Sequence, residues 1–130
     1  MGAWLILGIG TDICKISRIH RSLERFGMRF AERILVEEEL RRFQSHAKRA
    51  AYLAKRFAAK EAFSKALGTG MRNPVLWSNM RVGNDKAGRP YIEGLGGLKG
   101  LIEQRGVGAI HLSLSDEEDF ATAFVVLEKL

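Results

Sequence analysis

Cysteine is nearly absent from this chain. Cys14 is the one thiol in 130 residues. It excludes an internal disulfide, fits a reducing cytoplasm, and reads as a small core residue. Long apolar runs are missing as well. The opening stretch Ala3 to Ile9 is far shorter than the roughly 20 residues a spanning helix needs. No basic segment precedes it, so it reads as a strand and not a signal. Gly2 does not begin a myristoylation motif, because Ile6 stands where Ser or Thr is required. No membrane partner is therefore expected. Repeats, low-complexity tracts and linkers are absent too, and residues 1–130 are expected to form a single domain. Acidic side chains are in deficit: 15 Asp and Glu face 21 Lys and Arg, a net charge of +6. That excess favours an anionic partner, whether nucleic acid, an acidic protein or a phosphorylated small molecule.

The stretch that most needs explaining is Arg56-Phe-Ala-Ala-Lys-Glu-Ala-Phe-Ser-Lys-Ala-Leu-Gly68. Alanine and leucine favour a helix, Glu61 and Lys65 make an i,i+4 pair, and Gly68 is a C-terminal stop. On a helical wheel Leu53, Phe57, Phe63 and Leu67 form an apolar arc, filled by Ala50, Ala59 and Ala66. Arg56 and Lys60 fall inside that arc, and Ala54, Ala58 and Ala62 occupy the opposite side. A surface helix separates its charges from its apolar stripe. This one does not, so it is expected to be covered on most sides. Two readings of Arg56 and Lys60 follow: their long stems snorkel to water, or their charges meet a buried, charged ligand.

The rest of the chain reads as follows. Trp4 to Ile9 is a buried strand, and Gly8-Ile-Gly10 allows close backbone packing. The full dinucleotide-binding fingerprint is absent after it. Ile16 to Phe26 is an amphipathic helix stopped by Gly27, with Ile16, Ile19, Leu23 and Phe26 toward the core. Lys15, Arg18, Arg21 and Arg25 gather at helical spacing on its other side. Met28 to Ile34 is a short helical turn. Glu37 to Phe43 is a helix with Glu37, Glu38 and Glu39 at its N-terminal end, pointing in different directions and so not a metal cluster. The long helix runs from about Ala47 to Leu67, with His46 solvated or capping before it. Thr69 to Ser78 is loop. Asn79 to Val82 and Pro90 to Glu93 form a hairpin, and Leu98 to Gln104 a short helix. Ala109 to Ser115 and Phe120 to Leu127 are strands around a turn at residues 116–119. The order predicts an α+β fold with a mostly antiparallel sheet packed around the long helix.

Asp12 and Glu61 are two carboxylates on elements able to meet at the end of the first strand. Asp12 also suits a helix cap. As a pair with open positions they suit Mg²⁺, which keeps waters and takes further ligands from substrate phosphates. Arg56, Lys60 and Lys65 supply positive charge around such phosphates.

The segments Gly8-Ile-Gly-Thr-Asp-Ile13 and Arg56-Phe-Ala-Ala-Lys-Glu-Ala-Phe-Ser-Lys65 together resemble the two signatures of the 4′-phosphopantetheinyl transferases. The short length, Lys65-Ala-Leu-Gly-Thr-Gly70 and His111-Leu-Ser-Leu-Ser115 point to the small bacterial type. The resemblance covers nearly the whole chain. It implies transfer of the 4′-phosphopantetheine arm of coenzyme A to a serine of apo acyl carrier protein, releasing adenosine 3′,5′-bisphosphate in support of fatty acid biosynthesis. It further implies Mg²⁺ on Asp12 and Glu61, Lys65 at the diphosphate and Arg56 near the nucleotide phosphates. By the same resemblance Gly68 and Gly70 line the coenzyme A cleft and His111 stands near it. The serine proton goes to Glu61 or to a metal-associated water. Some relatives carry histidine where Asp116 stands, so no histidine role passes to that position. A homotrimer with shared active sites is implied, and an acidic carrier protein gives Lys15, Arg18, Arg21 and Arg25 a partner. Three competitors stand beside this. A nucleic-acid-binding module leaves the carboxylate pair unexplained and lacks an aromatic stacking platform. A Mg²⁺-dependent nucleotide phosphohydrolase needs no basic docking helix. A non-catalytic carrier-binding module tolerates loss of Asp12 and Glu61.

Overall fold

Two glycines set how the chain packs. In the computed structural model, which describes residues 5–130, strand β1 (Ile6–Lys15) lies directly along helix α4 (Arg49–Leu67). A Cβ on Gly8 would stand 2.0 Å from the Ala66 carbonyl oxygen, and one on Gly10 1.9 Å from that of Ala62. Only glycine on the strand lets the two backbones approach this closely. Ala54, Ala58 and Ala62 are fully buried, which is why the side of α4 opposite its large apolar residues is alanine. Gly68 ends the helix in the left-handed region at φ 78°.

The main sheet is antiparallel and three-stranded, in the order β1, β5 (Phe120–Lys129), β4 (Val107–Asp116). Past register shifts at Ile6/Gly8 and Val107/Ala109, its residues alternate. Gly10, Cys14, Ala121, Ala123, Val125, Leu127 and Leu112 are buried beneath α4. Leu7, Ile9, Ile13, Phe120 and Phe124 stand exposed on the other face. Helices α1 (Ile16–Phe26), α2 (Met28–Ile34) and α3 (Glu37–Ser45) connect β1 to α4. After α4 come a 3₁₀ turn at Trp77–Asn79, a separate hairpin of β2 (Met80–Asn84) and β3 (Pro90–Gly94), and helix α5 (Gly97–Gln104). The buried apolar side chains form one continuous cluster. The architecture is the α+β arrangement that the sequence predicts.

Several boundaries differ from the sequence reading. β1 does not stop at Ile9 but continues to Lys15, so Asp12 lies within the strand and caps no helix. Lys15 is the N-terminal flank of α1 and makes no side-chain cap. α4 starts at Arg49 because Lys48 is held out of helical geometry at φ −120°, ψ 77°, its N–H donating to His46 Nδ1 at 2.9 Å. Asp116 ends β4 and is not part of the turn. Phe26, expected in the core, is 53% exposed with the Arg25 guanidinium 5.1 Å over its ring; it lies at the last turn of α1, where the chain already leaves for α2. The Gly2, Ala3 and Trp4 readings fall outside the described residues. Among the described residues no helix is long and apolar enough to cross a membrane.

Candidate active site

Asp12 faces α4 because its position in β1 shares the period of Gly10 and Cys14. Glu61 comes from α4, one residue before Ala62, whose carbonyl touches Gly10. The close strand–helix approach therefore brings the two carboxylates together. Burial and the Asp12 charge push the Glu61 carboxyl above the ordinary carboxylate range, opposed by the Lys65 charge. Cys14, one inward position along β1, feels the same field. Burial pushes its thiol up to about 11, Asp12 and Glu61 add to the shift, and Arg18 opposes it. So Arg18, on the basic face of α1, lies within electrostatic reach of Cys14.

Lys65 completes this cluster, though not by pairing with Glu61 one turn away. Its Nζ lies 3.1 Å from Asp12 Oδ1 and donates to the Thr11 carbonyl at 2.9 Å. The ammonium remains half exposed, at 53%, whereas Asp12 is 16% exposed. A cation thus already leans on the carboxylates from the solvent side. Among the described residues no group of three or more His, Cys, Asp or Glu side chains clusters in a metal-binding manner. Two carboxylates, one raised by the other's charge, fit a hard divalent cation that draws its remaining ligands from water and phosphate.

Arg56 and Lys60 part company. Lys60 meets no ligand. It is fully buried, and its Nζ donates to Glu39 Oε1 at 2.7 Å, the Ile34 carbonyl at 2.6 Å and the Trp77 carbonyl at 3.2 Å. All three ammonium donors are thereby used. Glu39 is equally well satisfied: it accepts from the N–H of Val36 and of Val82, each at 2.8 Å. Neither snorkelling nor a bound ligand accounts for Lys60; an internal counterion does. Arg56 is also buried, but its Nη2 reaches only Asn84 Oδ1, at 3.1 Å, and its Nε has no partner. Its guanidinium lies 4.3 Å over the Tyr52 ring. It lines a cleft of about 590 Å³ together with Arg42, His46, Lys55, Asn84 and Asp116. Three cationic side chains in that wall suit a phosphorylated ligand.

The remaining predicted residues are scattered. Gly68 lines a different cleft of about 480 Å³, with Arg72 and Arg105. His111 is on the outward face of the sheet, with Nε2 2.9 Å from Glu128 Oε1, and the sheet separates it from Asp12 and Glu61. Lys15, Arg18, Arg21 and Arg25 are all exposed, and none has an acidic partner within 4.0 Å among the described residues. A groove of about 1030 Å³ between α1, α4 and residues 116–118 is lined by neither carboxylate of the pair.

Sequence reasoning missed Asn84, Glu39 and Trp77. Asn84 reads as a turn residue and does serve the turn, through its Nδ2 to the Gly88 carbonyl, while its other amide atom holds Arg56. Glu39 was legible only as a helix-start carboxylate. Trp77 lay in a stretch read as loop.

A sequence profile of the 4′-phosphopantetheinyl transferase superfamily matches residues 8–125. The holo-[acyl-carrier-protein] synthase of Nitrosomonas europaea is 54% identical over 125 residues, which is 96% of this chain and all of that protein. The crystal structure of the Neisseria meningitidis holo-[acyl-carrier-protein] synthase superposes with a TM-score of 0.93 at 50% identity, over 96% of this chain and all of that one. The Bacillus anthracis holo-(acyl-carrier-protein) synthase, solved in complex with CoA (3′,5′-ADP), superposes at 0.82 with 36% identity, covering 98% of this chain and all of that one.

Proposed function

The chain belongs to the 4′-phosphopantetheinyl transferase superfamily, and from that membership we propose that it moves the 4′-phosphopantetheine group of coenzyme A to a serine of apo acyl carrier protein. The observation that carries the reading is the Asp12–Glu61 pair, closed by the Lys65 ammonium at the β1–α4 contact. Asp12 and Glu61 would hold Mg²⁺, which when bound neutralises charge on the transferring phosphoryl group and its leaving oxygen.

The chain's own side chains divide the remaining work. Arg56, Arg42 and Lys55 receive the nucleotide phosphates in the 590 Å³ cleft. Arg56 is pre-oriented by Asn84 and Tyr52, so little order is lost on binding. Lys65, half exposed, turns from Asp12 to the diphosphate. The serine proton goes to Glu61 or to a metal-associated water that Glu61 orients. The exposed cations of α1, which follows directly on the strand that carries Asp12, receive the acidic carrier. The apolar outward face of the sheet, with Ile9, Ile13 and Phe124 exposed, supports assembly into a homotrimer, since isolated monomers rarely show such patches. That assembly would carry His111 to a neighbouring subunit's coenzyme A. The reaction belongs in the cytoplasm and serves fatty acid biosynthesis, with one domain over residues 1–130.

Release of adenosine 3′,5′-bisphosphate tests the reading. It is expected only when coenzyme A, Mg²⁺ and apo carrier protein are all present. Release without the carrier would favour a nucleotide phosphohydrolase instead.

A further inference from the structure

Asp116 puts a negative charge into a cleft whose other charged side chains are cationic. Arg42, Lys55 and Arg56 line the 590 Å³ cleft, and among the described residues Asp116 is the one carboxylate in its wall. A carboxylate there repels the phosphates that the cations attract. Asp116 closes β4 opposite Ala121 of β5, and its Oδ1 lies 3.4 Å from Lys55 Nζ. Lys55 directly precedes Arg56 on α4, so the pair ties the end of the sheet to the cleft wall. Beyond Asp116 the surface turns acidic. Glu117 and Glu118 line the neighbouring 1030 Å³ groove, and Asp116 borders both spaces.

Helix α4 carries three lysines that pair with carboxylates, and the pairs differ in tightness. Lys60 and Glu39, both buried, meet at 2.7 Å. Lys65 and Asp12 meet at 3.1 Å. Lys55 and Asp116 are the farthest apart, and their side chains are 28% and 39% exposed. Water screens such a pair, so it breaks at little cost. Lys55 is thus free to move to a phosphate oxygen, but only by giving up its counterion. We propose that Asp116 is a specificity-determining residue of the nucleotide cleft: by pairing with Lys55 it limits how tightly the cleft holds phosphate groups, so that the spent nucleotide leaves. The inference rests on the reading of this cleft as the nucleotide site given above. Arg56, buried and held by Asn84 and Tyr52, supplies the constant part of the attraction. Lys55 supplies the part that Asp116 holds back.

Asp116→Asn keeps the shape of the side chain and removes its charge. By isothermal titration calorimetry at low salt, the full chain with this change is expected to bind adenosine 3′,5′-bisphosphate about five-fold more tightly than wild type. The difference should shrink in about 0.5 M salt. Product inhibition by the same compound in the transfer assay should strengthen in parallel. A merely structural role would weaken binding instead. Glu118→Gln is the control: it removes an equal charge from the same turn, on the side of the other groove, and should leave the affinity unchanged. Equal or weaker binding in Asp116→Asn, alongside weakened binding in Arg56→Met, overturns the role of Asp116 and leaves the nucleotide reading of the cleft standing. Equal tightening in Glu118→Gln also overturns it, because net charge alone would then explain the gain. Wild-type affinity in both Arg56→Met and Lys55→Met overturns the nucleotide reading and the inference with it. Should Asp116→Asn fold poorly, Asp116→Ala decides by the same comparison.

Discussion

Lys65 Nζ and Asp12 Oδ1 lie 3.1 Å apart across the β1–α4 contact, so the lysine of the second signature bonds the aspartate of the first. The i,i+4 carboxylate on its own helix, Glu61, loses that competition. The two stretches that resemble family signatures are thus one physical object. Lys65→Met keeps the stem and removes the ammonium. A lost charge-assisted contact costs about 1.5–3 kcal/mol, so kcat/KM for coenzyme A should fall roughly ten- to a hundred-fold. Steady-state kinetics at saturating carrier protein check this, and unchanged constants would remove Lys65 from the diphosphate.

Glu61 gives a stability prediction with a definite sign. Its folded-state carboxyl holds its proton more tightly than an ordinary glutamate, through burial and the Asp12 charge. Such a group favours the folded state at low pH, and that contribution is lost as pH rises through the raised folded value. Glu61→Gln removes the desolvated charge. Without Mg²⁺, its melting temperature should therefore exceed that of wild type by a few degrees at neutral pH. The gap should close below the ordinary glutamate pKa of about 4.3. Added Mg²⁺ should stabilise wild type and not the variant. Calorimetry across pH, with and without Mg²⁺, measures all three.

Lys60 separates a structural charge from a catalytic one. Removing one member of a buried ion pair costs about 3–5 kcal/mol, because the other is left uncompensated. Lys60→Met strands Glu39, which is 2% exposed. Urea unfolding should show that loss, and adding Glu39→Gln should return a large part of it. A Lys60→Met chain as stable as wild type would contradict the pairing.

The basic face of α1 predicts a split between two substrates. Arg18→Glu with Arg25→Glu should lower kcat/KM for carrier protein by about ten-fold or more, since charges at an interface govern encounter. The KM for coenzyme A should barely move. Raising salt to about 0.5 M should weaken wild type more than the variant, because screening acts on exposed charges. Loss of coenzyme A affinity with carrier KM intact would assign this helix to the nucleotide site.

Much of this was legible in residues with a period. Gly8 and Gly10 announced a close approach, and two alanines of α4, Ala62 and Ala66, receive it. The full length of β1 was also written in the chain, as Gly10, Asp12 and Cys14 alternate with Ile9, Thr11 and Ile13, yet Thr11-Asp12 reads locally as punctuation. Glu39–Lys60 had no such signal. Twenty-one positions separate them, and only the fold places α3 beneath α4. Trp77 and Asn84 act on α4 side chains from loops and turns, where periodicity carries no information. His111 illustrates the reverse: its alternation with Leu112 was plain, but nothing in that period says what the face it shares with exposed Ile9 and Phe124 would meet.

The most direct test weighs the carrier. Apo acyl carrier protein incubated with coenzyme A, Mg²⁺ and this protein should gain the mass of one 4′-phosphopantetheine group on its serine, by intact-protein mass spectrometry. With Asp12→Asn the gain should be slower by orders of magnitude. A carrier of unchanged mass after prolonged incubation with the wild-type chain, or an equal gain with the Asp12→Asn variant at saturating Mg²⁺, would contradict the account.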